Sequence, residues 1–359
     1  MLAAPPKGVP AGGFGEGNSL GKSKKEKTKM IKALELACKD IMRPKNEKME
    51  MWQWGQGVVM FALEQAYKKT GNEAYIDFID QWVTEHLEAE KPGYSINTTA
   101  PLNGVLALQA IRGDERYMGL CEEFAQYLMG ENARCERGVF EHTCTGNYCP
   151  NQMWVDTVFM CGIFLTRYGL LTGNRMYVNE ALRQLVLHFD FLHDPETDLL
   201  HHGYYSDDRK THGALWGRGN GWFSAASAII LGMVDDSYPL KKAAEERYVR
   251  HLNALLKFQR PEGGWGTVIN AEDSYIETSG TAGFCYGIAK GIEMGYLDAS
   301  CAGARDKAYE YLKSKVHETG AMVGGSDGTC VAETDAEYKK IVQKYSEFTQ
   351  GLSILAFSI

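Results

Sequence analysis

Two kinds of apolar pattern alternate along the chain. In one, a polar or aromatic cluster opens a long run of small and apolar residues with few charges; such runs begin at Trp52, Asn97, Asn151, Leu215, Glu277 and Glu347. In the other, charged segments at 24–42, 73–89, 115–129, 175–192, 241–258 and 304–315 carry apolar residues at i, i+3, i+4 and i+7, as in Tyr75, Phe78, Ile79 and Trp82. A helix apolar on all sides must be surrounded by protein, whereas one with a single apolar stripe lies outside. Six buried helices alternating with six amphipathic ones predict an all-α fold, an (α/α)6 barrel with six inner helices ringed by six outer ones. The apolar runs start 45, 54, 64, 62 and 70 residues apart, each interval long enough for one helical hairpin and its loops. An open helical solenoid is the competing arrangement. It would offer a long concave face where a closed ring offers a central funnel.

Turn residues mark the crossings from inner to outer helix: Thr70-Gly71-Asn72, Arg112-Gly113-Asp114, Thr172-Gly173-Asn174, Asp235-Asp236-Ser237 and Leu297-Asp298-Ala299. Extended structure is barely signalled, with short ribbons expected at 263–269 and 322–325. Residues 1–22, rich in Gly, Pro and Ser, read as a flexible segment, leaving 23–359 as one (α/α)6 domain.

Charge and cysteine usage narrow the function classes. Lys and Arg number 38 against 46 Asp and Glu, a net charge of −8, which argues against a nucleic-acid surface because phosphate contact needs clustered basic groups. No window approaches 18 uncharged apolar residues, so no membrane span is expected. The nine cysteines show no recurrent spacing and mostly fall inside apolar helical patterns, as Cys38 and Cys161 do. That usage is of reduced thiols acting as small hydrophobes. The start lacks a charged segment followed by a sustained apolar one, and the expectation is a cytoplasmic protein.

In a closed ring the polar clusters that open the inner helices all face one rim, so residues far apart in sequence converge there. The positive ends of the helix dipoles point to the same rim and favour a carboxylate ligand. Six of the seven tryptophans, Trp52, Trp54, Trp154, Trp216, Trp222 and Trp265, lie in these clusters. Aromatic platforms beside Asp, Asn, Gln, Arg and His suit a sugar, whose flat apolar faces stack while its hydroxyls take hydrogen bonds; the plainer reading is that the tryptophans fill a core. Asp156 falls one turn into a run otherwise apolar through Leu171. Burial beside Trp154 or Phe159 is expected to raise its pKa toward that of a general acid, unless it serves only to satisfy first-turn amides. Arg218, between Trp216 and Trp222, suits a ligand carboxylate or a structural salt bridge with an acid such as Asp156. No metal or cofactor is expected: His201-His202 has no ligating spacing, Cys144 and Cys149 read as a loop thiol pair, and Gly217–Gly221 lacks the lysine of a phosphate loop.

Three motifs carry a family resemblance: Pro150-Asn151-Gln152-Met153-Trp154-Val155-Asp156-Thr157, then Asp194-Pro195-Glu196-Thr197 with His201-His202-Gly203-Tyr204, then Leu215-Trp216-Gly217-Arg218-Gly219-Asn220-Gly221-Trp222. In this order they resemble glycoside hydrolase family 105, the unsaturated rhamnogalacturonyl hydrolases, which is related to the unsaturated glucuronyl hydrolases of family 88. The resemblance implies the same (α/α)6 fold. It also implies a substrate: oligosaccharides of pectin or rhamnogalacturonan type, whose non-reducing end carries the 4,5-unsaturated uronic acid left by polysaccharide lyases. It implies that Asp156 protonates C4 of the vinyl ether and helps water add at C5, after which the hemiketal opens and releases the rest of the chain. One carboxyl group that gives and accepts a proton then suffices, where ordinary glycosidases need two.

By the same matching, His202, Trp216, Arg218 and Trp222 are expected to line the sugar pocket with Trp154, and His142 to join them. Trp52 and Trp54 match the aromatic start of the first inner helix. Where many relatives carry a second aspartate at the start of the next inner helix, this chain has Asn97, which orients a water or hydroxyl but shares no proton. Two other readings stay open. One is an ordinary inverting glycosidase or a lyase on the same toroid, with Glu277 or Asp207 as second carboxylate; the other is a non-catalytic carbohydrate-binding toroid. The chain is expected to act as a monomer or homodimer.

Overall fold

The computed structural model describes residues 24–146 and 149–359; the segment 1–22, set apart by composition, lies outside the described residues. The outer helices are α1 (Lys24–Ile41), α3 (Ala74–Ala89), α6 (Met118–Gly130), α8 (Arg175–Leu192), α10 (Lys241–Leu256) and α12 (Ala302–Ser314). Between them run the inner helices α2 (Trp54–Thr70), α5 (Leu102–Arg112) preceded by the single turn α4 (Ile96–Thr99), α7 (Ile163–Thr172), α9 (Gly217–Met233), α11 (Thr278–Glu293) and α14 (Glu347–Phe357). A short helix, α13 (Asp335–Lys339), lies in the connection before α14.

Contacts between inner helices run α2 to α5, α5 to α7, α7 to α9, α9 to α11, α11 to α14, and α14 back to α2. The last contact closes the ring and rules out the open solenoid. Burial follows the predicted division. In α9 every residue from Gly217 to Leu231 is buried, whereas α3 buries only the stripe Tyr75, Ile76, Ile79, Trp82 and Val83. Small residues let inner helices approach closely: a Cβ on Gly283 of α11 would sit 2.6 Å from the Gly221 carbonyl oxygen of α9. The first three helix ends fall where the turns predict, with Gly71, Gly113 and Gly173 left-handed at φ 70°, 67° and 69°. The fifth closes earlier than predicted, at Gly295, and Leu297–Ala299 belongs to the following connection.

Extended structure is the main departure. A three-stranded antiparallel sheet forms from β1 (Gln152–Trp154), at the start of the run read as the third inner helix, and β2 (Gly203–Tyr205) and β3 (Lys210–His212), where only loop was expected. The segments 263–269 and 322–325 contribute isolated bridges, Trp216 to Val268, Gly266 to Ile276 and Val316 to Met322. The sheet matters for position rather than stability, because it aligns two loops at the rim.

Candidate active site

The rim formed by the inner-helix N-termini encloses a cavity of about 220 Å3. Its walls are Trp54, Asn97, His142, Trp154, Asp156, Met160, Trp216 and Arg218, with Cys144 and the loop residues Gly328, Thr329 and Cys330 completing it. Asp156 is the only carboxyl group among these wall residues.

The sheet places Asp156. Trp154 of β1 pairs with Gly203 of β2, and Val155 N–H donates to the His202 carbonyl at 3.0 Å. This register carries His202 Nε2 to 3.5 Å from Asp156 Oδ2. Asp156 therefore stands in the turn before its helix, not one turn inside it. Its carbonyl accepts from Phe159 and Met160 N–H as the chain enters a π-helical turn at Val158–Gly162. Such turns tend to occur at functional sites. The carboxyl group is 13% exposed, and Oδ2 has no hydrogen-bond partner, so the amide-capping reading fails for that oxygen.

The predicted upward pKa shift is also corrected. Burial alone raises the Asp156 pKa, but the His202 imidazole against Oδ2, with His142 and the Arg218 guanidinium nearby, outweighs it and holds the carboxyl below its ordinary value. Burial keeps the two imidazoles neutral, with His142 pushed down to about 4 despite Asp156 nearby, and His202 lowered for the same reason.

Aromatic rings form a continuous belt around this acid. His142 stacks on Trp154 at 4.6 Å between centroids, Trp154 meets His202 edge-on at 5.4 Å, and His202 lies 4.1 Å from Trp216. The Arg218 guanidinium continues the belt, 4.5 Å from the Trp216 ring and 4.7 Å from Phe348, which stacks on Trp54 at 4.8 Å.

Among the described residues Arg218 makes no salt bridge with Asp156, the structural pairing considered from sequence; its bonds go to backbone and hydroxyl oxygens. It is fully buried, and it donates through Nη1 to the Ser326 carbonyl (2.9 Å) and hydroxyl (2.6 Å), and through Nη2 to the Asp327 carbonyl (2.7 Å). Those bonds anchor the loop that roofs the cavity, and Nε remains unpartnered. Glu277, one of the two candidates for a second catalytic carboxylate, serves the same loop. Its oxygens accept from Ser279 and Gly280 N–H at the start of α11 and from Ser326 N–H at 2.8 Å. Asp207, the other candidate, is exposed and accepts from Asn151 Nδ2. Neither lines the cavity.

Of the expected sugar-binding residues, Trp54, Asn97, His142, Trp154, Trp216 and Arg218 line the cavity, and His202 stands directly against Asp156. Three tryptophans are corrected. Trp222 is fully buried behind Trp54 and Phe159. Trp52 stacks on Trp82 at 5.2 Å and donates to the Thr98 carbonyl, one residue from Asn97. Trp265 is a core residue, packed on Phe284 and bonded to the Leu255 carbonyl. Cys144 and Cys149 are indeed a reduced loop pair, with sulfurs 3.4 Å apart. Met160, the roof residues Ser326–Cys330 and Tyr338, whose hydroxyl meets His202 Nδ1 at 2.6 Å, carry no signal in the sequence pattern.

Unpartnered buried polar atoms concentrate here: Asp156 Oδ2, His202 Nε2, Trp216 Nε1 and Arg218 Nε. Asp156 Oδ2 and His202 Nε2 face each other at 3.5 Å, which leaves Trp216 Nε1 and Arg218 Nε as unpaired donors beside the cavity; buried polar groups are normally satisfied, so these two donors suit a polar ligand.

Comparison with known proteins agrees with this geometry. The model of Glycosyl Hydrolase Family 88 matches residues 23–358. The unsaturated rhamnogalacturonyl hydrolase YesR of Bacillus subtilis (strain 168) is 31% identical over 310 residues, covering 84% of this chain and 88% of its own. A possible member of the GH105 family from Klebsiella pneumoniae superposes with a TM-score of 0.86 at 26% identity, covering 94% and 93% of the two chains. The unsaturated glucuronyl hydrolase of Bacillus sp. GL1 shares the fold, with a TM-score of 0.69 at 16% identity over 92% and 96%. The chain belongs to glycosyl hydrolase family 88 and is an enzyme, a glycoside hydrolase.

Proposed function

We propose that the enzyme removes a 4,5-unsaturated uronyl residue from the non-reducing end of lyase-generated oligosaccharides of pectin or rhamnogalacturonan type, by hydrating the vinyl ether. The observation that carries this reading is a cavity with one carboxyl group, Asp156, ringed by aromatic side chains and unpartnered donors. Its volume of about 220 Å3 lies below the ~300–1,000 Å3 of most ligand sites, a size suited to one terminal ring. The relatives named above give the substrate class.

Asp156 is the proton donor and acceptor in this reading. Its carboxyl proton goes to C4, the positive charge at C5 is shared with the ring oxygen, and a water adds at C5 while its proton returns to the carboxylate. The C5 hemiketal opens by breaking its bond to the ring oxygen, and C1 then expels the rest of the chain as an alcohol. One water is consumed and the acid is regenerated. In the free protein Asp156 is held ionised, so it must gain a proton as substrate binds. A substrate carboxylate entering the cavity supplies that change, since a second negative charge and the loss of water both raise the pKa. Trp54, Trp154 and Trp216 serve as stacking walls, His142 and Asn97 meet hydroxyls, and Arg218 supplies fixed positive charge for the uronate. Trp52 and Trp222 support the walls from behind.

Among the described residues lining the cavity, paired-carboxylate hydrolysis finds no second acid, and Glu277 and Asp207 are engaged elsewhere. The nine free thiols support a reducing compartment, the cytoplasm, and a site built from one chain is compatible with a monomer or homodimer. The deciding experiment incubates the protein with unsaturated and saturated oligosaccharides of equal length and follows the ultraviolet absorbance of the conjugated double bond. Loss of absorbance with release of the leaving sugar, and no cleavage of the saturated substrate, is expected. Comparable cleavage of both would replace hydration with ordinary glycoside hydrolysis.

A further inference from the structure

His202 reaches Asp156 through one ring nitrogen, and something must decide which nitrogen carries the hydrogen. Its other nitrogen, Nδ1, lies 2.6 Å from the hydroxyl of Tyr338 in α13, 136 residues further along the chain. That hydroxyl already accepts from Ala332 N–H at 3.2 Å. It has a single hydrogen to give, and Nδ1 is the acceptor at hand. Burial keeps the imidazole neutral, so a ring whose Nδ1 accepts carries its one hydrogen on Nε2.

The surroundings leave no freedom for another arrangement. Tyr338 is fully buried with Trp216, Ala214 and Val268, and burial keeps its hydroxyl protonated. Gly213, at φ 77°, passes so close that a Cβ there would lie 2.5 Å from the Tyr338 oxygen and 2.9 Å from His202 Cβ. A side chain at that position would be strained by the backbone conformation and would push both rings apart. Tyr338 thus ties the roof insert between α12 and α14 to the acid at the floor of the cavity.

We propose that Tyr338 is a positioning residue of this site, whose hydroxyl fixes the His202 imidazole in the tautomer that turns Nε2–H toward Asp156. The proposal rests on the reading of Asp156 as the proton donor. The groups that face the relay are His202, His142, Arg218 and Cys330 around Asp156, Arg218 beside His202, and Tyr205 beside Tyr338. Removing the hydroxyl frees the imidazole to present a bare Nε2 lone pair to the carboxylate. That repulsion raises the proton affinity of Asp156, so activity that requires its protonated form persists to higher pH.

Tyr338→Phe keeps the ring and removes only the oxygen. With an unsaturated disaccharide, kcat is expected to fall about tenfold, the worth of one buried hydrogen bond, with KM within about threefold. The limb of the pH profile that falls with rising pH should move up by about one unit. In a His202→Gln background the same change should alter kcat less than about twofold, because the effect passes through His202. Lowered thermal stability with an unchanged kcat and pH limb would assign Tyr338 to packing and overturn the proposal. The tautomer is also readable without turnover, from 15N shifts of histidine-labelled protein with His202 identified by its loss in His202→Gln. A protonated Nε2 and bare Nδ1 are expected, and a protonated Nδ1 would overturn the proposal even if the protein hydrates the substrate. A wild-type protein with the expected tautomer and no activity on the disaccharide would instead refute the functional reading.

Discussion

At the residue scale the site is organised around one carboxyl group. Asp156→Asn is nearly isosteric and leaves the β1–β2 register intact, because that register depends on backbone bonds such as Val155 to His202. Turnover should fall by at least the ~10²–10⁴-fold typical of a lost general acid–base group, since the same residue serves both proton transfers, while substrate affinity changes little. Activity retained within about tenfold would remove Asp156 from the mechanism. Arg218→Lys has a different expected signature. Lysine keeps the charge but cannot span Ser326 and Asp327 or lie flat between Trp216 and Phe348. The carbonyls it abandons are costly to leave unpaired, about 1–3 kcal/mol each, so both the melting temperature and substrate affinity should drop. Unchanged stability with a raised KM would mean that Arg218 clamps the ligand and does not hold the roof. Trp54, Asn97, Trp216 and Arg218 were legible from sequence because each sits at the start of an inner helix or in the turn just before it. Trp265 and Trp222 were misread because a tryptophan beside a helix start looks the same whether it faces the cavity or the core. Tyr338 and Ser326–Cys330 gave no signal, being placed by anchors on Arg218, Glu277 and His202 that lie more than 45 residues away.

At the scale of elements the helices were legible and the strands were not, for a physical reason. A helix buried on all sides writes its burial into a long unbroken run, ten residues in α2 (Gly55–Glu64) and fifteen in α9 (Gly217–Leu231), whereas the strands here are three residues long and owe their pairing to the loops they join. Nothing in so short a segment carries a period. Helix contacts bring their own test. Gly283 packs on Gly221, with the Gly221 carbonyl oxygen and carbonyl carbon 2.6 and 2.8 Å from an added Cβ. Both neighbours are backbone and cannot swing aside, so Gly283→Ala should cost about 1–3 kcal/mol through overpacking, despite alanine's better helix propensity. Gly119 on outer helix α6 has open space at the same point, and Gly119→Ala should be neutral or slightly stabilising. Urea titrations of the two variants decide it: a lowered midpoint at constant m for Gly283→Ala alone. Equal midpoints would show that the α9–α11 contact can relax.

Ring closure at the scale of the whole molecule buries histidines on three different segments, and their titration links the fold to pH. Burial pushes the pKa of His142 down to about 4, of His188 to about 4 and of His251 to about 3, from an ordinary value of 6.5. Each is a base whose folded pKa is depressed, so between those values the unfolded chain binds more protons than the folded one. Stability therefore rises with pH across the window and is lost as pH falls from about 6.5 toward 4. The slope reaches at most ~1.4 kcal/mol per pH unit for each histidine, or ~4 for the three together. Carboxylates held below their ordinary values, such as Asp114 and Glu180, add to the loss only at the acid end of this window and below it, since their ordinary values are 3.8 and 4.5. Glu347, whose carboxyl burial raises, works in the opposite direction but is a single group. Between pH 6.5 and 5 the histidines should dominate, and unfolding free energies measured at pH 7, 6 and 5 should fall steeply. His251 accepts or donates only to Asn220 through Nε2, and glutamine can keep that bond without taking a charge. His251→Gln should then flatten the slope by about one third. A wild-type protein equally stable at pH 7 and 5 would mean that water reaches these imidazoles and that the ring is packed less tightly than its buried histidines require.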